Sequence, residues 1–137
     1  REITEAGEHK LRLMGLGYRA AHLARTSIII SEGKFDLEGL QELTYNDAKA
    51  ELMTLPGVDP KVADCVLLFS LNKLEAFPID VWVRRVIKEW YLQAKNPSYE
   101  EIRNWALEYF GVYAGYAQQY LFYSRRLKGS LKPGENV

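Results

Sequence analysis

The 137-residue chain is poor in cysteine and has no excess of charge of either sign. Its single cysteine, Cys65, excludes an internal disulfide framework and a four-cysteine iron–sulfur cluster built from this chain alone. Eighteen basic and eighteen acidic side chains cancel, so a polyanionic partner would have to bind a local basic patch. No apolar run is long enough to span a bilayer, and no signal peptide is visible. We therefore expect no membrane partner, no metal and no cofactor.

The composition favours one globular domain. Hydrophobic residues make up 47% of the chain, which is too many for a disordered segment, and the length is sufficient for a real core. There is no strand alternation, no internal repeat and no linker that would divide domains. We predict an all-α helical bundle over residues 1–128, followed by a solvated tail over residues 129–137. The chain begins without methionine inside a predicted helix, so we expect a fragment that is incomplete on its N-terminal side.

Apolar periodicity and capping signals predict eight helical segments. They are Thr4–Met14, about Tyr18–Glu32, a short Leu37–Leu43, Asn46–Thr54, Pro60 to about Leu71, Val81–Tyr91, Tyr99–Phe110 and Ala114–Lys128.

Several helix ends carry local signals. Gly15-Leu16-Gly17 should break the first helix. Asp59 is a natural N-cap before Pro60, and Ser98 with Glu101 forms a capping box. The helix that starts at Val81 should bury one apolar face and leave a charged face to solvent. The apolar face is Val83, Val86, Ile87 and Trp90, and the charged face is Arg84, Arg85, Lys88 and Glu89.

The most informative pattern is a tight turn, Leu55-Pro56-Gly57-Val58-Asp59, followed by Lys61 and later by Asp80. Backbone amides at the start of a helix bind phosphate, and a lysine there is a possible amine nucleophile. A carboxylate beside it could stabilise positive charge. Taken alone, the turn is as consistent with an ordinary helical bundle, because proline and glycine are common between helices.

Lys61 can act as a nucleophile only in its neutral form. A solvated lysine is almost fully protonated at neutral pH, and a helix N-terminus disfavours the cation only weakly. Burial contributes much more. The chemistry therefore requires a partly buried Lys61, and the alternative is a solvated lysine near a helix start.

The stretch Leu55–Cys65, followed by Pro78-Ile79-Asp80-Val81, resembles the helix-hairpin-helix and GPD signature of base-excision DNA glycosylases. The resemblance is greatest to the 8-oxoguanine DNA glycosylase branch. Gly15–Ala20 and Tyr113–Gln118 match that branch as well, and the similarity runs from about residue 9 to residue 126.

The resemblance implies a role for several side chains at the lesion. Lys61 would attack C1′ of the lesion nucleotide, and Asp80 would stabilise positive charge on the sugar. Phe122 would stack on the base, Gln118 would bond its edge, and Cys65 would form the opposite wall of the pocket. From the residues alone, Asp80 is equally a helix cap, Phe122 a core aromatic and Cys65 a small buried hydrophobe.

The resemblance also implies contacts with the duplex. Gly57 and Val58 would present hairpin amides to a phosphate, and Tyr18 with Arg19 would reach in near the orphaned partner base. Trp82 stands where relatives often have a histidine close to the DNA backbone. The simpler alternative for Tyr18 and Arg19 is a helix-start aromatic with a surface arginine.

The chain departs from the family pattern in its hairpin and in its extent. Asp59 replaces the usual second glycine, and its negative charge would weaken a phosphate contact. The upstream part of the family fold, which supplies more helices and the side chain that fills the gap left by the flipped base, is absent. His9 and His22 are isolated in the sequence and receive no role.

The leading prediction is a bifunctional DNA glycosylase and AP lyase that excises 8-oxoguanine through a Schiff base and β-elimination. Its partner would be damaged double-stranded DNA. We expect a monomer inside the cell, in the cytoplasm, nucleoid or nucleus. One alternative is a helix-hairpin-helix DNA-binding module without catalysis, and another is a glycosylase of the same superfamily that removes a different damaged base.

Overall fold

The computed structural model describes residues 2–92 and 96–130 of the chain. These residues form seven α-helices and no strand, which confirms the prediction of an all-α fold. No helix among them is long and apolar enough to cross a membrane. The helices are α1 Glu2–Leu11, α2 Arg19–Ser31, α3 Tyr45–Leu52, α4 Pro60–Phe69, α5 Val81–Ile87, α6 Tyr99–Phe110 and α7 Ala114–Ser130.

The chain divides into two compact units, Arg1–Ala63 and Asp64–Val137, and the division falls within α4. The predicted single domain over residues 1–128 stays a prediction. The predicted solvated tail begins two residues too early, because α7 continues through Ser130. Residues 131–137 lie outside the described part of the chain.

The first unit is built around the packing of α1 and α2. Leu11, Ala20 and Ala24 are buried together there. The predicted glycine break is confirmed, since Gly15 and Gly17 both adopt positive φ, at 88° and 56°. A π-helical turn over Arg12–Leu16 leads into the break.

The hairpin between α3 and α4 is closed by local hydrogen bonds. The Val58 N–H donates to the Leu55 carbonyl at 3.1 Å. Asp59 accepts the Val62 N–H at 2.8 Å through its Oδ1, and Pro60 opens α4, so the predicted N-cap is confirmed.

One predicted helix of the first unit is wrong. The segment Leu37–Leu43 contains only a single 3-10 turn, Gly39–Gln41. The Asp36 carboxylate accepts the Gly39 N–H at 2.9 Å, and glycine in a helix interior carries an entropic cost. Thr44 then caps α3, which leaves no room for a second turn.

The second unit buries a core contributed by α5, α6, α7 and the irregular segment before α5. Its buried members are Phe77, Ile79, Val83, Val86, Ile87, Ile102, Ala106, Ala114 and Leu121. The capping box of α6 is present: Ser98 and Glu101 each bond the backbone N–H of the other.

The predicted apolar face of α5 is confirmed for Val83, Val86 and Ile87, which are fully buried, but it is wrong for Trp90. Trp90 is 41% exposed. The α-helix ends at Ile87, and a π-helical turn over Lys88–Leu92 follows. Its wider i to i+5 spacing rotates later side chains away from the face that an α-helix would present.

Candidate active site

The hairpin of the first unit lies against α2. The Thr26 hydroxyl donates to the Pro56 carbonyl at 3.2 Å. Gly57 has φ +79°, and a Cβ placed there would lie 2.6 Å from His22 Cγ and 2.7 Å from His22 Cβ. Only glycine can therefore bring the hairpin backbone this close to α2.

Five of the predicted site residues line one cavity of about 480 Å³ in this unit: Tyr18, Arg19, Gly57, Val58 and Lys61. The remaining walls come from α2 and from the hairpin. They are His22, Leu23, Thr26, Pro56, Asp59 and Val62. The structure thus brings together side chains that lie more than 35 positions apart in the sequence.

Lys61 is half-buried at the second position of α4. Its role as a nucleophile stays a prediction. The neighbouring Asp59 is exposed, and its carboxylate is bonded to the Val62 N–H, so part of its charge is already compensated within the hairpin. Arg19 lies on the other wall with its guanidinium 4.8 Å from the Tyr18 ring centroid.

His22 is a cavity residue that the sequence analysis missed. It stands four positions after Tyr18 and three after Arg19, hence on the same side of α2. That spacing from Tyr18 and Arg19 was the only feature of the sequence that could have indicated His22 as a cavity residue. Its contact with Gly57 depends on how α2 packs on the hairpin, which no local pattern encodes.

Asp80 belongs to the second unit and caps α5. Its Oδ1 accepts the Val83 N–H at 2.8 Å, so the structure confirms the capping role. The side chain is half-buried. A carboxylate has two oxygens, and the cap uses one of them.

Gln118 is buried, with 4% of its surface exposed. Its Nε2 donates to the Pro78 carbonyl at 2.9 Å, and its Oε1 accepts from Gln119 Nε2 at 2.5 Å. The predicted base reader is therefore held beside the segment that ends at Asp80. An amide nitrogen carries two protons, so one donor remains beyond the bond to Pro78.

Phe122 is half-buried on α7 and packs against the core of its unit. Its ring meets Tyr123 edge-on at 5.7 Å, and the Arg126 guanidinium lies 5.9 Å from its centroid. Cys65 is half-buried on α4. These two residues, Gln118 and Asp80 lie in the second unit, whereas Lys61 lies in the first.

Trp82 is an exposed aromatic side chain on α5, with 41% of its surface accessible. The Arg85 guanidinium lies 5.2 Å from its ring centroid. An aromatic ring paired with a cation and open to solvent suits a nucleic acid surface.

Comparison with known proteins places this geometry in a family. Residues 1–111 match the family described as HhH-GPD superfamily base excision DNA repair protein. The "Probable N-glycosylase/DNA lyase" of Methanothermobacter thermautotrophicus is 40% identical over 121 residues, which are 88% of this chain and 38% of that protein. The N-glycosylase/DNA lyase OGG1 of Arabidopsis thaliana is 32% identical over 130 residues, covering 88% of this chain and 36% of its own length.

A solved structure shows the same fold. The 8-oxoguanine glycosylase/lyase of Clostridium acetobutylicum, in complex with double-stranded DNA containing cytosine opposite 8-oxoG, superposes with a TM-score of 0.87 at 38% identity. The match covers 93% of this chain and 43% of that one. The chain thus spans less than half the length of these relatives. On the strength of the family match and the shared fold, the chain belongs to the HhH-GPD superfamily of base-excision DNA repair proteins.

Proposed function

We propose that this chain is part of a bifunctional DNA glycosylase and AP lyase that excises 8-oxoguanine from duplex DNA. The observation that carries the proposal is the half-buried Lys61 in a cavity walled by hairpin backbone, Tyr18 and Arg19. A module that only binds DNA needs the hairpin amides but neither a recessed lysine nor Asp80.

The proposed reaction begins with the neutral amine of Lys61 attacking C1′. The bond between C1′ and the base breaks, and the base leaves with its electron pair and takes up a proton. The bond between C1′ and O4′ then breaks, O4′ takes the electron pair and a proton, and the lysine nitrogen loses its two protons, which leaves an imine between nitrogen and C1′. Loss of a C2′ proton expels the 3′ phosphate and cleaves the strand. Hydrolysis of the imine finally frees Lys61.

Asp80 would act in the first step. As the base departs, positive charge develops on the sugar, and a fixed carboxylate offsets it without having to reorganise. The bond that Asp80 accepts from the Val83 N–H holds the carboxylate rigid. Capping and catalysis therefore support each other.

The remaining side chains would bind the substrate. Gly57 and Val58 would present hairpin amides to a phosphate, which positions the duplex without reading its sequence. Tyr18 and Arg19 would contact the region of the orphaned base, and Trp82 the backbone. The flipped base would lie between Phe122 and Cys65, with Gln118 bonding its edge. Damaged double-stranded DNA would be the partner of a monomeric protein, which would then act inside the cell, in the cytoplasm, nucleoid or nucleus.

Borohydride trapping on a duplex that contains 8-oxoguanine tests the proposal. The reagent reduces the imine and leaves the protein covalently attached to DNA. We expect the intact wild-type protein to be trapped, and Lys61→Gln to bind the duplex within a few-fold of wild type but give no adduct. Lys34→Gln is the matched control, since Lys34 is an exposed lysine paired with Glu32 at 2.7 Å. Trapping of Lys61→Gln at wild-type yield would assign the nucleophile to another amine.

The lesion preference needs a separate comparison. Single-turnover excision on matched duplexes carrying 8-oxoguanine, an alkylated purine or uracil should be fastest for 8-oxoguanine. Faster release of either of the other two bases would assign a different substrate to the protein but leave the proposed mechanism unchanged. Binding without excision of any of the three bases would favour the non-catalytic module.

A further inference from the structure

The segment Ala76–Ile79, which leads into Asp80, is buried although it has no regular secondary structure. Ala76 and Phe77 are fully inaccessible, and Ile79 is 5% exposed. Buried backbone groups outside helices must find partners elsewhere, or each costs about 1–3 kcal/mol. The Ala76 N–H donates to the Lys73 carbonyl at 3.0 Å. The side-chain partners of this segment come from two helices, α6 and α7.

The first anchor is the Tyr99 hydroxyl, at the first position of α6. It donates to Asp64 Oδ2 at 2.5 Å and accepts the Ile79 N–H at 3.4 Å. Its single proton belongs to the shorter contact, although the Phe77 carbonyl also lies 3.4 Å away. Asp64 is fully buried on α4, so its carboxylate is a rigidly held hydrogen-bond acceptor for the hydroxyl.

The second anchor comes from α7, on which Gln118 donates to the Pro78 carbonyl and the Gly115 N–H donates to the Leu74 carbonyl at 2.8 Å. A Cβ on Gly115 would lie 2.9 Å from the Leu74 carbonyl oxygen and 3.1 Å from that of Ala76. The helix backbone is thus in direct contact with the segment, which leaves little room for it to shift.

We propose that Asp64 and Tyr99 are positioning residues for Asp80, an inference that rests on the proposed function. Ile79 immediately precedes Asp80, so the bond from the Ile79 N–H to Tyr99 fixes the backbone from which the carboxylate projects. Asp64 acts through Tyr99, because it orients the hydroxyl that accepts this N–H. Neither residue touches the substrate. A displacement of about 1 Å in a catalytic group can cost on the order of a hundredfold in rate.

A double-mutant cycle separates positioning from a purely structural role. Single-turnover excision of 8-oxoguanine is measured for the intact wild-type protein, Tyr99→Phe, Asp80→Asn and the double variant. We expect Tyr99→Phe to slow excision about tenfold to a hundredfold in the wild-type background. In the Asp80→Asn background it should slow excision by no more than about twofold, because the carboxylate that it positions is already gone.

The same loss of rate in both backgrounds would overturn the inference, since a structural role does not depend on Asp80. Failure of wild type to excise, or an unchanged rate in Asp80→Asn, would instead defeat the proposed function and the inference with it. Thermal midpoints of all four proteins identify any variant that loses its fold.

Two further variants sharpen the test. Asp64→Asn keeps the shape and one acceptor oxygen but weakens a charge-assisted bond, so its rate should lie between those of wild type and Tyr99→Phe. If Tyr99→Phe fails to fold, Asp64→Asn takes its place in the double-mutant cycle. Tyr109→Phe on the same helix is the matched control, because its side chain is 62% exposed, and its rate should equal that of wild type. A wild-type rate for Asp64→Asn would remove Asp64 from the proposal.

Discussion

Gly57 shows how one residue couples the hairpin to α2. Its positive φ is strained for any other residue, and the His22 side chain occupies the space that a Cβ would need. The obstructing atoms include His22 Cβ, which cannot rotate away. A larger residue at position 57 would therefore move backbone, and with it the amides proposed to bind phosphate.

We predict that Gly57→Ala weakens duplex binding about tenfold at physiological salt. Gly33→Ala is the control for backbone strain alone, since Gly33 has φ +69° and nothing within 4 Å of its Cβ position. Both variants should lose stability, by roughly 1 kcal/mol for Gly33→Ala and more for Gly57→Ala because of added overpacking. Fluorescence anisotropy gives the affinity and denaturant unfolding gives the stability.

Equal duplex affinities for Gly57→Ala and Gly33→Ala would show that the hairpin backbone does not bind phosphate. A stability difference without an affinity difference would reduce Gly57 to a packing residue.

At the residue scale, a contiguous motif was enough to predict several of the residues that line the cavity. Lys61, Gly57 and Val58 lie in one short stretch whose turn and cap are local signals. His22 could not be predicted, because its importance comes from packing between α2 and a hairpin 35 positions further along. The Tyr99–Asp64 bond was missed for the same reason, since the two residues are 35 positions apart and match no motif.

At the scale of single helices, boundaries set by side-chain caps were predictable. The capping box placed the start of α6 at Tyr99, and Gly111 ends that helix at Phe110, as predicted. Helix boundaries that are set by irregular backbone could not be predicted. The π-helical turn after Ile87 has no sequence signal of its own, so the predicted helix ran on and Trp90 was assigned to the wrong face.

The capping box also gives α6 a pH dependence. Hydrogen bonds from the Ser98 backbone N–H, and secondly from the Ser98 side chain, lower the pKa of Glu101 below its usual value. A carboxylate whose folded pKa is lowered stabilises the fold above its unfolded pKa, ~4.3 for glutamate, and loses that contribution as pH falls through the folded pKa.

We predict that the stability difference between wild type and Glu101→Gln is constant from neutral pH down to about 5. It should then shrink as the medium becomes more acidic, because protonated Glu101 and glutamine differ little. Glu100→Gln is the control, since it removes the same charge from the same turn but leaves the box intact. Urea unfolding at several pH values measures the difference. A difference that persists unchanged into acid would mean that the box does not depend on the ionised carboxylate.

At the scale of the whole molecule, charge is balanced overall but not locally. The formal net charge is zero, so long-range attraction to DNA is weak, and affinity has to come from a few cations at the interface. Two arginines stand beside side chains that we predict to bind DNA: Arg19 over Tyr18 and Arg85 over Trp82. Other cations are neutralised within the protein, as Arg12 is by Glu8 at 2.7 Å.

We therefore predict that the salt dependence of duplex binding resides in few positions. Each protein cation that replaces a counterion on duplex DNA contributes about 0.9 to the slope of log affinity against log salt concentration. Arg19→Gln and Arg85→Gln should each make the slope shallower by about one. Arg12→Gln should leave it unchanged, although it removes the same formal charge.

The measurement is a titration of lesion duplex with the intact protein at several salt concentrations between about 50 and 200 mM, a range over which the release of counterions changes the affinity for DNA strongly. Equal slopes for Arg19→Gln and Arg12→Gln would remove the cavity of the first unit from the DNA interface, and an unchanged slope for Arg85→Gln would do the same for Trp82.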